Sequence, residues 1–291
     1  MMFLKEPISM EDFNMGDLSN KVILTVATTG AWPTKEITPY VPIQPAEIAE
    51  EVYACWKAGA SMAHIHVRDD EAKASMDYSK FEETVRLIRD KKDCDIVLNL
   101  TTSGGIGLDD EMRIRPFREL KPELASYDCG SMNWQNNCVF ENSPAFLEKL
   151  GNTMQEVGVK PEIEIFDVGM IYNALYYLKK GVLKAPLHFQ FVLGAAGGMP
   201  ATVENLVFLK NLIPEGSTWS ALGIGKGHLP ILYTALALGG NIRVGMEDNI
   251  MYKKGELAKS NVEFVERAKR IIHEFGKEVA TPEETRQILG V

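Results

Sequence analysis

Ala63-His64-Ile65-His66-Val67-Arg68-Asp69 places two histidines two residues apart at the end of a short run, Met62 to Val67, of small and branched apolar residues. The alternation predicts a β-strand. Successive strand side chains point to opposite faces, so both imidazoles lie on one side of the sheet. Just upstream, Pro45 to Ala58 carries Ile48, Val52, Cys55 and Trp56 at helical spacing, with Pro45 suited to the first turn and Gly59 to the end. Helix followed by short strand is one step of a repeating grammar. The other expected strands are Val22 to Thr28, Ile96 to Thr101, Leu124 to Asp128, Glu162 to Asp167, His188 to Leu193, Thr218 to Leu222 and Ile242 to Met246, which makes eight.

The intervening segments read as helices. After the fourth strand, Ser143 suits an N-cap and Pro144 the first helical position, and Phe146, Leu147, Leu150, Met154 and Val157 form an apolar stripe ahead of Gly158. Further helices are expected over Tyr78 to Asp90, Met170 to Lys179, Val203 to Asn211, Leu229 to Leu238 and Glu256 to Phe275, with a short last one after Pro282. Eight strands alternating with helices favour an α/β fold of the (β/α)8 TIM-barrel type over an open doubly wound sheet.

The length of 291 residues, 45% of them apolar, suits one such barrel, and no tandem repeat or low-complexity linker marks a second domain. The expected organisation is a short N-terminal arm over 1–20 and a single barrel catalytic domain over 21–291. A net charge of −9 argues against a nucleic-acid partner, which would require clustered Lys and Arg. The first twenty residues carry acids and a proline where a secretory signal has a continuous apolar stretch. Leu229 to Leu238, the longest apolar run, is about half of what a membrane span needs. A cytoplasmic protein without a membrane partner is expected. The four cysteines, Cys55, Cys94, Cys129 and Cys138, lack C-x-x-C spacing and read as reduced thiols in or near the core.

In a barrel, chemistry concentrates where strands end and βα loops begin. His64 and His66 sit there, and two imidazoles in register suit zinc, which commonly takes three protein ligands at an open catalytic site. The bland alternative is that each satisfies a buried hydrogen bond. Glu247, in Arg243-Val244-Gly245-Met246-Glu247-Asp248-Asn249, is the best third ligand, because strands two and eight both flank strand one in a closed barrel. Against it stands a fold-stabilising charge cluster of Arg243, Glu247 and Asp248. Thr101-Thr102-Ser103-Gly104-Gly105 offers hydroxyls and backbone amides, at Ser103 and Gly104 among others, to a substrate carboxylate or phosphate, although turn chemistry also explains it. Gly194 to Gly198 and Gly223 to Gly227 follow strands six and seven, where barrels often hold phosphate. Neither matches a Walker or dinucleotide fingerprint. A nucleotide-like cosubstrate and simple tight turns both fit.

Taken in order, TVATTGAWPTKEITPYVP (25–42), HIHVRD, TTSGG, DCGSMNW (128–134), PEIEIFDVG (161–169), FVLGAAGG, GIGKGHLP and RVGMEDN resemble the β-keto acid cleavage enzyme family, whose founding activity is 3-keto-5-aminohexanoate cleavage. The resemblance runs through most of the chain. It implies a zinc-dependent barrel that converts a β-keto acid and acetyl-CoA to acetoacetate and a new acyl-CoA, and it suggests a homo-oligomer. Carried over by motif, His64, His66 and Glu247 hold zinc, and Asp248, oriented and kept ionised by Arg243, is the general base. Thr101, Ser126 and Glu164 match positions around the substrate. Thr101 stands where the founding enzyme has serine, Trp32 where it has a glutamate for the substrate ammonium, and Asp128 where it has asparagine. These departures point away from the founding substrate and toward a tail that is apolar or carries a quaternary ammonium, as in dehydrocarnitine, which Trp32 would meet through cation–π attraction. Trp32 as a lid or packing residue is the other reading. The rival classes are a zinc barrel hydrolase, with Asp248 as base toward metal-activated water, and a ligand-binding barrel that has lost its chemistry.

Overall fold

The computed structural model describes residues 18–291. Most of the expected arm over 1–20 lies outside the described residues; Leu18–Asn20 form a short 3-10 turn. Eight parallel strands close a barrel: β1 Leu24–Ala27, β2 Met62–Ile65, β3 Val97–Leu100, β4 Leu124–Asp128, β5 Lys160–Ile165, β6 His188–Leu193, β7 Thr218–Gly223 and β8 Asn241–Val244. Neighbours in the barrel follow chain order, and β8 pairs with β1 to close it. The expected TIM-barrel class is the observed one.

Around it run α1 Pro45–Ala58, α2 Tyr78–Arg89, α3 Asp110–Leu120, α4 Pro144–Val157, α5 Val168–Lys180, α6 Val203–Lys210, α7 His228–Ala237, α8 Asn261–Glu274 and α9 Pro282–Leu289. Their ends follow local chemistry. Ser143 Oγ accepts the amide of Phe146 to cap α4, and Gly59, in the left-handed conformation, closes α1.

One helical expectation needs correction, and one helix, α3, lies where none was expected. The helix expected from Glu256 starts at Asn261, because Glu256–Leu257 pairs antiparallel with Met251–Lys253 across a Lys254-Gly255 turn. No regular apolar stripe marks α3 in the sequence, since Pro116 interrupts its interior. Asp109 nonetheless caps it by accepting the amide of Met112.

What positions the site is a gradient of polarity along the strands. At the floor, Ile23, Met62, Val97 and Leu124 form a small apolar cluster that Leu289 of α9 closes from below. One pleat further up come His64, Asn99, Ser126, Glu162 and His188, all buried. The register places His64 beside Asn99, and Glu162 between Ser126 and His188. Barrel interiors are usually filled by branched apolar residues. Here the upper interior is polar, and burying that much polarity is costly unless it is partnered.

Candidate active site

His64 lies within β2 and His66 just beyond its end, so the pleat turns both rings toward the C-terminal mouth, their centroids 5.2 Å apart. After β8 the chain turns tightly, with the amides of Asp248 and Asn249 both donating to the carbonyl of Gly245, and the amide of Glu247 is tied to the carbonyl of Ala27 at the end of β1. This turn carries Glu247 across β1 toward the histidines. Its Oε1 lies 3.6 Å from His64 Nε2 and 3.4 Å from His66 Nε2. Gly30 presses on the same side chain: with φ of +63°, it approaches so closely that a Cβ there would sit 2.5 Å from Glu247 Cγ. Trp32 Nε1 donates to the carbonyl of Glu247 at 2.6 Å. Arg68, itself buried, donates to the carbonyls of Thr29, Gly30, Pro33 and Ala72 and so fixes the loop that bears Trp32.

The donors suit a divalent cation. One ligand atom from each of His64, His66 and Glu247 falls within 4.8 Å of the others. Glu247 Oε1 is engaged by Arg243 Nη2, whereas its Oε2 is buried and has no partner among the described residues. Burial, reinforced by Arg243, lowers the pKa of His64 to about 3 and keeps its imidazole neutral, the form that offers a lone pair to a metal. Beneath the pair lies a carboxylate not singled out from the sequence. Glu162, fully buried, stands 3.8 Å from His64 Nδ1 and 3.7 Å from His188 Nε2, and it accepts a hydrogen bond from Asn99 Nδ2. Burial pushes its pKa up, but His188 and His64 outweigh that and hold it below the usual value. At 3.8 Å Glu162 does not hydrogen-bond His64, and it acts on the ring through its charge. The signal was available, since Glu162 precedes Glu164 by two on one strand and therefore shares its inward face.

Arg243 grips Asp248 with a two-pronged fork, Nε to Oδ2 and Nη2 to Oδ1, each 3.0 Å. Its Nη1 reaches Glu164 Oε1 at 3.4 Å. Arg243 does not bring the pKa of Asp248 below the usual value: burial raises it more than the guanidinium lowers it, Glu247 adds to the rise, and the carboxyl settles at about 6, still mostly ionised at neutral pH. Glu164 is pushed well above its ordinary value by burial and by Asp128, its neighbour in register across β4 and β5. Asp128 is likewise raised by burial, against the opposing hydrogen bond from Ser103 Oγ.

A cavity of about 240 Å³ opens onto this cluster. His64, His66, Glu247, Thr101, Ser103, Asp128, Glu164 and Trp32 line it. Arg243 and Asp248 line an adjoining cavity of about 490 Å³ that shares Trp32, Glu164 and Glu247 with the first. Two expected residues, Ser126 and Gly104, line neither cavity. Ser126 Oγ accepts the amide of Thr102, and its carbonyl accepts Thr102 Oγ1. The amide of Gly104 points to Met76 Sδ at 3.1 Å, and a Cβ at Gly104 would lie 2.3 Å from the carbonyl oxygen of Ser75, so this glycine serves close packing. The apolar wall was not foreseen. Trp134 and Phe140 come from the hairpin Met132–Trp134/Cys138–Phe140, and Phe166 from just beyond β5, with Trp134 meeting both phenyl rings edge-on. Aromatics in such loops carry no periodic signature.

A family model described as beta-keto acid cleavage enzyme matches residues 21–291. A 3-keto-5-aminohexanoate cleavage enzyme from Fusobacterium nucleatum is 44% identical over 275 residues, which cover 94% of this chain and 99% of that protein. A 3-dehydrocarnitine:acetyl-CoA trimethylamine transferase from Rhizobium meliloti is 34% identical, with 94% and 97% covered. A 3-oxoadipate:acetyl-CoA acetyltransferase from Cupriavidus necator is 35% identical, with 94% and 96% covered. Among solved structures, apo ObcA superposes with a TM-score of 0.78 at 20% identity, over 87% of this chain and 66% of that one, a likeness of fold. On the family model and these relatives together, the chain is an enzyme that belongs to the beta-keto acid cleavage enzyme family.

Proposed function

We propose that this enzyme is a zinc-dependent acyltransferase that converts a β-keto acid and acetyl-CoA to acetoacetate and a new acyl-CoA. The observation that carries the reading is the convergence of His64, His66 and Glu247 beside the Arg243–Asp248 fork at one cavity. The acetyl-CoA-dependent names of relatives at 34–35% identity support the cosubstrate. Zinc, held by the two histidines and Glu247, supplies Lewis acidity toward the keto acid's oxygens.

The protein's own groups do the rest. Asp248 accepts the proton from the carbon between ketone and carboxylate, and Arg243 fixes its geometry by gripping both oxygens. The resulting carbanion attacks the thioester carbonyl of acetyl-CoA. The CoA sulfur then transfers to the former ketone carbon of the adduct, and the bond between that carbon and its neighbour breaks. Acetoacetate leaves with the two acetyl carbons, its carbanion taking the proton back from Asp248, and the tail leaves as acyl-CoA. Thr101 and Ser103 present hydroxyls to the bound acid, and Glu164, its pKa raised by burial and by Asp128, presents its carboxyl to the same cavity. Trp134, Phe140 and Phe166, with Asp128 beside them, form a compartment for an apolar tail or for a quaternary ammonium, which aromatic faces and one carboxylate recognise. Residues 21–291 act as one catalytic domain, in a cytoplasmic homo-oligomer. No helix among the described residues is long and apolar enough to cross a membrane.

The test separates the metal from the base. His66→Ala loses bound zinc and turnover together, whereas Asp248→Asn retains stoichiometric zinc by metal analysis and loses at least about a hundredfold in kcat, as expected when a general base is removed. An Asp248→Asn enzyme turning over near the wild-type rate contradicts the assignment of the base.

A further inference from the structure

Beyond the two cavities at the catalytic cluster, a third of about 610 Å³ lies between the loops after β7 and β8. It meets the others at Trp32 and reaches Asp248, so its inner end is the site of the proposed proton transfer. Its outer end is basic. Lys226, in the Gly223-Ile224-Gly225-Lys226-Gly227 loop, and Lys253 and Lys254, on the hairpin turn after β8, all line it. In a chain of net charge −9, three lysines converging on one cavity stand out. Lys253 pairs with Glu256 at 2.9 Å, but among the described residues neither Lys226 nor Lys254 has a carboxylate within 4 Å. A second observation points to a ligand. His228, only 7% exposed, also lines the cavity, and its buried Nε2 lacks a hydrogen-bond partner among the described residues. Asn249 Nδ2 donates to the carbonyl of Gly223, which orients the amide, so His228 Nδ1 accepts from the same nitrogen and Nε2 carries the proton. The wall between the two ends is largely apolar, with Ile224 and Met251 on it.

A long ligand with a polyanionic head, a slender arm bearing amides and a reactive thioester at its tip matches this gradient from lysines to Asp248. We propose that this cavity is the seat of CoA, with Lys226 and Lys254 receiving its phosphates, the His228 ring forming part of the wall, and the pantetheine arm running past Ile224 to place the thioester beside Trp32 and Asp248. The proposal rests on the acetyl-CoA-dependent reading above. It assigns to the loops after β7 and β8 the cosubstrate, and to the cavity walled by Phe140 and Phe166 the keto acid, so the two substrates enter from opposite sides of Trp32.

The test is calorimetric titration of the zinc-loaded enzyme with CoA and with pantetheine, which keeps the arm and lacks the phosphates. Wild type binds CoA more tightly than pantetheine, and raising the salt concentration narrows the difference, because exposed charges are screened. The double charge reversal Lys226→Glu/Lys254→Glu weakens CoA about tenfold or more and leaves pantetheine within twofold. Equal losses for both ligands, or CoA affinity within twofold of wild type, overturn the site while leaving the function standing. A wild-type enzyme that binds no CoA overturns the function and the site together.

Discussion

At His228 a single imidazole reports how the mouth of the barrel is built. Burial lowers its pKa to about 4, with Arg267 adding to the effect, so the ring is neutral in the fold. In the unfolded chain the same ring binds its proton near pH 6.5. Between those values the unfolded state holds more protons than the native one, and stability therefore rises with pH across the window. The contribution is full above about pH 6.5 and is lost as the pH falls toward 4. Urea unfolding at pH 7 and at pH 5 checks this: His228→Gln should lose less stability than wild type on acidification, by about 2 kcal/mol. Parallel losses in the two proteins contradict the buried neutral ring. Residue by residue, what was legible was whatever a strand's period of two reveals. His64 and His66 were visible because they repeat on one face, and Glu247 because strand order in a closed barrel is forced. The raised pKa of Asp248 was not, since Arg243 is local in sequence while the burial that outweighs it is assembled by several strands.

At the scale of elements, the strands were read closely because each joins a branched apolar run to a polar end. The helices with clear caps, α1 and α4, were placed at their observed ends. Where local signals conflict the reading slips. Pro116 masks α3, and the acids and lysines near Glu256 look helical although a glycine turn folds them into a hairpin. The hairpins and loops that wall the cavity also escaped notice, because their aromatics answer to tertiary contacts with no regular spacing. The last helix has a defined duty: Leu289 of α9 is 1% exposed and closes the apolar floor against Ile23, Met62, Val97 and Leu124. Leu289→Ala should destabilise the protein by about 2–5 kcal/mol in urea unfolding, the usual cost of a buried cavity. Zinc content and kcat should be unchanged under folding conditions, because the floor lies at the other end of the strands from the ligands. A loss of zinc without a loss of stability contradicts that separation.

The whole molecule divides along the barrel axis. Its lower interior is apolar and secures the fold; its upper interior is a network of His64, Asn99, Glu162 and His188 beneath the Arg243, Glu247 and Asp248 cluster. Such a network is tolerated where it orients the proposed metal ligands and base, and the cavities above it share Trp32 as their common wall. In the proposed reaction acetyl-CoA is a reactant whose acetyl group ends in acetoacetate. The direct measurement follows a panel of β-keto acids with acetyl-CoA labelled at both acetyl carbons. Acetoacetate is expected to carry both labels in its ketone and methyl carbons, with unlabelled acyl-CoA formed in equal amount. Consumption of the keto acid at the same rate without acetyl-CoA, or acetoacetate free of label, contradicts the proposed reaction.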